Sequence, residues 1–315
     1  MGAALVFYSA FDAFEAWQPA LQAALPGLDV RAARAGDGLV AGDPADVRYA
    51  LVWKPPHGFF GRFPNLKLVI NLGAGVDALV ARDDLPHVPI TRLSDPRMSQ
   101  MMASFVLMCV LRHARDIPLL EKAQRERRWH FVSPRTAGEI KVGVLGLGEL
   151  GGAAALELAR QGFDVRGWSR TARALPGIAC HHGLDALPGF LAESDILVVM
   201  LPLTDETRGL LNAERLARLP RGAAFINVAR GPVVDEAALV AALRAGQIGA
   251  ATLDVFEVEP LPQDSPLWGM ENVLITPHLA SMAIPRSAAA QIAENIRRVE
   301  AGEEVANRVD PQRGY

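Results

Sequence analysis

The chain of 315 residues has little cysteine, little net charge and no long apolar run. Its two cysteines, Cys109 and Cys180, are not in a paired spacing, so neither a disulfide framework nor a metal site is expected. The net charge is only -3, which gives no reason to expect nucleic acid or an anionic membrane as a partner. The longest apolar stretch, 101–111, is too short to span a bilayer.

The N-terminal residues also lack the basic segment of a secretory signal peptide, so a cytoplasmic location is expected. Half of the residues are hydrophobic and 21% are charged, which are the proportions of a globular protein. A single hydrophobic core usually stops growing below this chain length, and the length therefore predicts two domains.

Short apolar runs alternate with amphipathic segments along most of the chain. The predicted strands are 4–8, 50–53, 67–71, 141–145, 163–168, 195–201, 223–229, 249–255 and 272–276. The predicted helices are 153–161, 184–193, 212–219, 235–245, 285–301 and a long segment from 98 to about 129. Such alternation predicts an α/β fold with parallel sheets, because parallel strands need crossover connections.

The last predicted helix, 285–301, follows the completed second set of strands. It can return to the first domain, which would then be discontinuous in sequence. The predicted domains are therefore 1–97 with 284–315, for the substrate, and 98–283, for a dinucleotide.

A glycine-rich turn lies between the strand 141–145 and the helix 153–161. Gly146, Gly148 and Gly151 have the spacing of a dinucleotide-binding turn, with Glu149 and Leu150 between the last two glycines. Gly146 would permit the tight turn, Gly148 the approach of a pyrophosphate to the backbone, and Gly151 close packing of helix on strand. The alternative is an ordinary strand-to-helix turn that favours glycine.

The end of the next strand indicates which dinucleotide is bound. Enzymes that use NAD usually carry Asp or Glu there, to accept a hydrogen bond from the ribose 2′-hydroxyl. Here the strand 163–168 is followed by Ser169, Arg170, Thr171 and Arg173, with no carboxylate. Guanidinium and hydroxyl groups suit a phosphate, so NADP (as NADPH) is favoured over NAD. The alternative is a solvated basic turn.

Three successive strands end in groups that suit the reduction of a 2-keto acid. Arg230 follows the strand 223–229, Glu259 follows 249–255 and His278 follows 272–276. An arginine can bind a carboxylate in bidentate fashion, and a histidine can protonate the carbonyl oxygen as it is reduced. A carboxylate behind the imidazole orients it and stabilises its protonated form. Taken singly, the three could be a loop cation, a surface acid and a capped turn residue.

With these motifs the chain resembles the D-isomer-specific 2-hydroxyacid dehydrogenases, and most closely their glyoxylate/hydroxypyruvate reductase A branch. The resemblance covers nearly the whole chain, in the family's order. The matching stretches are 72–77, the glycine turn, 168–171, 201–202, 227–231, 253–256 with 259–260, and 276–278.

The resemblance implies two Rossmann-like domains, with the active site in the cleft between them, and a homodimer formed in part by the long helix after Met98. Arg230 would bind the substrate carboxylate, His278 would donate the proton and Glu259 would be its partner. The backbone amides of Ala74, Gly75 and Val76 would complete the carboxylate site, with Trp53 near the substrate. The cofactor site would also include Leu201, Pro202, Val228, Ala229 and Asp254.

The predicted function is NADPH-dependent reduction of a small 2-keto acid, such as glyoxylate or hydroxypyruvate, to the D-2-hydroxy acid. Two alternatives stay open: a dehydrogenase of a larger D-2-hydroxy acid, and a regulatory protein that senses NAD(P) without turnover. The roles of Lys54 and Trp129 also stay open, since Lys54 can add a charge near the substrate or point to solvent.

Overall fold

The computed structural model describes residues 2–311 and 313–314. The chain divides into two compact units, Met1–Met98 with Met282–Tyr315, and Ser99–Ser281. No helix within the described residues is both long enough and apolar enough to cross a membrane.

The strands and helices alternate along both units. In chain order the strands are β1 Ala4–Ser9, β2 Asp29–Ala32, β3 Val47–Trp53, β4 Leu68–Asn71, β5 Ile90–Arg92, β6 Lys141–Leu145, β7 Asp164–Ser169, β8 Ala179–His182, β9 Ile196–Val199, β10 Ala223–Asn227, β11 Ile248–Leu253 and β12 Val273–Ile275. The α-helices are α1 Phe14–Ala24, α2 Asp77–Val80, α3 Pro96–Ala114, α4 Ile117–Arg125, α5 Glu149–Arg160, α6 Leu187–Ala192, α7 Ala213–Leu216, α8 Glu236–Arg244 and α9 Pro285–Ala301. Short 3-10 turns lie at Pro44–Asp46, Phe60–Arg62, Ala137–Glu139, Leu184–Ala186, Gly231–Val233 and Pro266–Gly269.

The first unit contains a parallel sheet with strand order β2-β1-β3-β4-β5. The central strand β3 is almost wholly buried, as its apolar sequence predicts for a strand that is covered on both faces. Helix α9 packs against α1 in this unit. Tyr49 of β3 ties α9 to the sheet, because its hydroxyl donates to Glu300 at 2.6 Å.

The second unit contains a parallel sheet with strand order β12-β11-β10-β9-β6-β7-β8. The chain starts at β6, moves to β8 on one side, and then crosses to β9 on the other. The strand order therefore reverses between β6 and β9, and ligands of such sheets bind at the carboxyl ends of the strands beside this reversal. Phe190, Leu197 and Phe225 lie fully buried in the core around this sheet. The two parallel sheets confirm the predicted α/β fold.

The segment 98–129 was expected to be one long helix, and this prediction is wrong. Helix α3 ends at Ala114, and α4 begins at Ile117 after a single left-handed residue, Asp116, with φ of 54°. Pro118, in the first turn of α4, has no backbone N–H with which to continue the hydrogen bonding of α3. The chain after Arg125 is not helical and runs as a turn and extended segment to Thr136.

Candidate active site

The glycine turn after β6 is formed by close backbone contacts. Gly146 has φ of 118°, a conformation that favours glycine, and a β-carbon there would lie 2.7 Å from the carbonyl oxygen of Met200. A β-carbon at Gly151 would overlap the carbonyl oxygen of Gly146. Gly146 is therefore needed where the turn passes the segment after β9, and Gly151 is needed where α5 packs against the turn after β6.

Gly148 differs from these two glycines. It is the N-terminal cap residue of α5, and a β-carbon there would meet nothing within 4 Å. Its φ of -70° is open to any residue, so the protein itself does not require glycine at this position. The open space lies before the first turn of a helix, whose N–H groups and dipole favour an anion. These residues fit the pyrophosphate of a dinucleotide.

The turn after β7 carries the groups predicted to bind a 2′-phosphate. Ser169 is buried, and its hydroxyl donates to the carbonyl of Thr171 at 2.8 Å, which fixes the turn. Arg170, Thr171 and Arg173 are exposed. Nη1 of Arg170 lies 2.7 Å from Oε2 of Glu206, on the segment after β9. Sequence reasoning missed this partner, which is 36 positions away.

The other residues predicted to line the cofactor site follow β9 and β10. Leu201, Val228 and Ala229 are buried, and Pro202 is exposed. Asn227, at the end of β10, shapes this turn: its side-chain oxygen accepts from Ala229 N at 3.1 Å, and its amide donates to Arg230 O at 3.2 Å. A buried polar residue at the end of an apolar strand is the sequence signal for such a role.

Arg230 is half-buried, and its Nη1 donates to the carbonyl of Ala229 at 2.7 Å. The next residue, Gly231, is buried, and a β-carbon on it would overlap the backbone of Phe256. The backbone that carries Arg230 therefore lies directly against the segment after β11, from which Glu259 comes.

Asp254 is only 1% exposed and organises the segment after β12. Its carboxylate accepts hydrogen bonds from Thr276 Oγ1 at 2.6 Å and from the backbone N–H groups of Leu279 and Ala280, each at 2.9 Å. The backbone N–H of His278 donates to the carbonyl of Asp254 at 2.8 Å. Asp254 thus contributes to the site by holding the segment that carries His278, in addition to any contact with a cofactor.

His278 and Glu259 form a pair. Nδ1 of His278 lies 2.9 Å from Oε2 of Glu259, and both side chains are half-buried. The second carboxylate oxygen, Oε1, accepts from the backbone N–H of Phe256 at 3.2 Å, which fixes the carboxylate. With Nδ1 bound to Glu259, the proton that the ring can give to a ligand is the one on Nε2.

The predicted carboxylate-binding loop, Ala74, Gly75 and Val76, belongs to the first unit. Asn71, at the end of β4, donates from its side-chain amide to the carbonyls of Gly73 and Gly75, both at 2.9 Å. Arg92 donates to Ala74 O at 3.3 Å. These bonds use the carbonyl groups of the loop and not its amides. Sequence reasoning missed both supporting residues.

The half-buried ring of Trp53 lies against the same loop. A β-carbon at Gly73 would come within 2.6 Å of Cζ3 of Trp53, so glycine permits this contact. The next residue, Lys54, is exposed and has a left-handed backbone with φ of 48°. Its Nζ lies 5.5 Å from the centre of the Phe11 ring.

Two buried groups near α3 are unsuited to catalysis at neutral pH. Burial, with a smaller contribution from Asp254, raises the pKa of the Cys109 thiol to about 12, so the thiol is not a nucleophile. Burial and then Arg112 lower the pKa of His113 to about 4. His113 is therefore neutral, and its Nε2 lies 2.9 Å from Oγ1 of Thr252.

Comparisons with known proteins show the family to which the chain belongs. Residues 107–280 match the family model described as D-isomer specific 2-hydroxyacid dehydrogenase, NAD binding domain. Glyoxylate/hydroxypyruvate reductase A of Yersinia enterocolitica is 40% identical over an alignment of 317 positions, which covers 99% of each chain.

Two solved structures are similar over the whole chain. The D-isomer specific 2-hydroxyacid dehydrogenase of Xanthobacter autotrophicus Py2, in complex with NADPH and MES, is 79% identical, with a TM-score of 0.97 and complete coverage of both chains. The NADPH-dependent glyoxylate/hydroxypyruvate reductase of Sinorhizobium meliloti, in complex with NADP and sulfate, is 36% identical, with a TM-score of 0.93 over 99% of this chain and 100% of that one. The resemblance seen in the sequence is thereby confirmed, and the chain belongs to the D-isomer specific 2-hydroxyacid dehydrogenase family.

Proposed function

We propose that this protein is an NADPH-dependent reductase of small 2-keto acids, with glyoxylate and hydroxypyruvate as the expected substrates and a D-2-hydroxy acid as the product. The pairing of His278 with Glu259 at 2.9 Å is the observation that carries the proposal. It supplies an oriented proton donor, which the reduction of a keto acid requires, and Arg230 follows β10 in the same sheet. The names of the Yersinia and Sinorhizobium relatives support this substrate class.

The side chains have separate roles in the proposed reaction. Arg230 binds the substrate carboxylate and polarises the carbonyl, because its planar fork suits two oxygens. His278 donates the proton on Nε2 to the carbonyl oxygen as that oxygen gains charge. Glu259 compensates the charge of the protonated ring and holds its orientation. When bound, NADPH supplies the hydride that reduces the carbonyl carbon.

The proposed cofactor site uses the glycine turn and the basic turn after β7. Gly146, Gly148 and Gly151, with Glu149 and Leu150, would receive the pyrophosphate at the N-terminus of α5. Arg170 and Arg173, with Ser169 and Thr171, would hold the 2′-phosphate. Leu201, Pro202, Val228, Ala229 and Asp254 would line the nicotinamide half. The NADPH and NADP bound to the two solved relatives support this assignment.

The proposed substrate contacts of the first unit are made by its carboxylate-binding loop and by Trp53. Asn71 fixes that loop through two carbonyl groups, which supports a role for its amides in binding an anion. We assign substrate binding to 1–97 with 284–315, and dinucleotide binding to 98–283.

A homodimer is part of the proposal. Met108 and Leu111 of α3 are 42% and 43% exposed, and Trp129 and Phe131 are 100% and 81% exposed. Apolar side chains at this exposure are typical of a surface that another chain covers. Light scattering of the purified protein tests this part, and a mass of one chain at micromolar concentration would contradict it.

The decisive experiment follows NADPH oxidation with a panel of 2-keto acids of increasing size. We expect turnover with glyoxylate and hydroxypyruvate, and loss of about 10²–10⁴-fold in kcat in His278→Ala, because general acid catalysis contributes about that much. NADPH binding should persist in this variant. Faster turnover of large keto acids would favour a different dehydrogenase. Tight NADPH binding without turnover by the wild type would favour a sensor.

A further inference from the structure

The ion pair between Arg170 and Glu206 joins the segments that follow β7 and β9. Nη1 of Arg170 and Oε2 of Glu206 are 2.7 Å apart, and the two side chains are 50% and 66% exposed. An exposed pair of this kind contributes little to folding stability. Its position matters more, because Arg170 is the residue to which the proposed function assigns the 2′-phosphate.

Glu206 stands on an ordered turn. Oγ1 of Thr207 accepts from the backbone N–H of Thr204 at 2.8 Å and donates to the carbonyl of Pro202 at 2.6 Å. The backbone N–H of Arg208 donates to Thr204 O at 2.9 Å. These bonds anchor the turn at Pro202, directly after β9, and thereby keep the carboxylate of Glu206 within reach of Arg170.

We propose that Glu206 is a specificity-determining residue that weakens NADPH binding and thereby lowers the preference for NADPH over NADH. The inference rests on the proposed function. A carboxylate on the guanidinium of Arg170 occupies a donor that a 2′-phosphate would use, and it repels the phosphate that arrives there. NADH has an uncharged 2′-hydroxyl instead, which Glu206 would not repel.

The test is Glu206→Gln, which removes the charge at similar volume, compared with Asp205→Asn. Asp205 is the exposed carboxylate next in the chain, so this control makes the same change in net charge. Kd values for NADPH and NADH are measured by fluorescence titration, and kcat/KM with each cofactor follows. We expect Glu206→Gln to bind NADPH about two- to fivefold more tightly, the range of an exposed ion pair, and to bind NADH with unchanged affinity. Asp205→Asn should change neither the Kd for NADPH nor the Kd for NADH.

Unchanged or weaker NADPH binding in Glu206→Gln would overturn the inference. An equal gain in NADPH affinity in Asp205→Asn would overturn it as well. Arg170→Ala separates this inference from the proposed function. If Arg170→Ala weakens NADPH selectively while Glu206→Gln has no effect, the 2′-phosphate site stands and the role of Glu206 fails. If Arg170→Ala weakens NADPH and NADH equally, the 2′-phosphate assignment itself fails. In the Arg170→Ala background, Glu206→Gln should no longer tighten NADPH.

Discussion

Alanine at Gly148 and alanine at Gly151 should separate the cofactor role of the glycine turn from its folding role. At Gly148 the added methyl group meets no atom within 4 Å, and φ is -70°. Alanine restricts the unfolded chain but is a poorer helix cap than glycine, and these two effects oppose each other. The free energy of unfolding of Gly148→Ala without cofactor should therefore stay within about 1 kcal/mol of wild type.

The same methyl group would stand in the space assigned to the pyrophosphate. Loss of one hydrogen bond between a backbone N–H and a charged phosphate costs about 1.5–3 kcal/mol, which is roughly ten- to hundredfold in Kd. Because NADPH and NADH share the pyrophosphate, Gly148→Ala should weaken both by the same factor. This distinguishes it from Arg170→Ala, which should weaken NADPH alone.

Gly151→Ala should behave in the opposite way. Its β-carbon would overlap the carbonyl oxygen of Gly146, so the helix must move, at a cost of about 1–3 kcal/mol in stability. Urea unfolding without cofactor, together with fluorescence titration, measures both quantities. If Gly148→Ala unfolds as readily as Gly151→Ala, the separation of the two roles is wrong. If Gly148→Ala binds both cofactors like wild type, the assignment of this space to the pyrophosphate is wrong.

Substitutions at three further residues test the site and its surroundings. In steady-state kinetics Arg230→Ala should raise KM and lower kcat together. Arg230→Lys should restore only part of the lost kcat/KM, since lysine lacks the planar fork. Near-wild-type activity in Arg230→Ala would remove this residue from the site. Asp254→Asn should lower kcat more than it weakens NADPH binding, and it should cost about 1–3 kcal/mol of stability, because one acceptor of the buried hydrogen bonds becomes a donor. An unchanged kcat would contradict its positioning role. Burial lowers the pKa of His113 from 6.5 to about 4. Between these two pH values the unfolded chain therefore binds a proton at His113 that the folded chain does not bind. The free energy of unfolding should therefore fall by about 2 kcal/mol when the pH is lowered from 7 to 5, and His113→Gln should reduce this fall. Denaturant unfolding measures it, and an equal pH dependence in wild type and His113→Gln would refute the role of His113.

The central strands and the glycine turn could be predicted because their sequence signals are local. A run such as Ile196–Val199 is apolar throughout, as burial on both faces requires. Strands β2, β5 and β8 were missed, since they are only three or four residues long and β2 and β8 are not fully buried. The break after α3 was missed as well: the left-handed conformation of Asp116 has no clear sequence signal, but Pro118, two residues later, is a signal that the sequence does carry.

The supports of the site could not be predicted from the sequence because they join residues that are far apart in the chain. Arg230, Glu259 and His278 each follow an apolar strand, which is a recognisable pattern. The partners of Arg170 and Asp254 follow no such pattern: Glu206 is 36 positions from Arg170, and Ala280 is 26 positions from Asp254. These pairs form only when the parallel order of the strands brings their carboxyl ends to one edge of the sheet.

The backbone of the second unit alone sets the spacing of the three proposed catalytic groups. Gly231 lies against the backbone of Phe256, whose N–H donates to Glu259. The N–H of His278 donates to the carbonyl of Asp254, and Glu259 holds the imidazole. A side chain at Gly231 would separate the segments after β10 and β11, and would therefore move Arg230 away from His278 without altering the charge of the site. The geometry of proton donation thus depends on adjacent strand ends being held in contact, as much as on the three side chains.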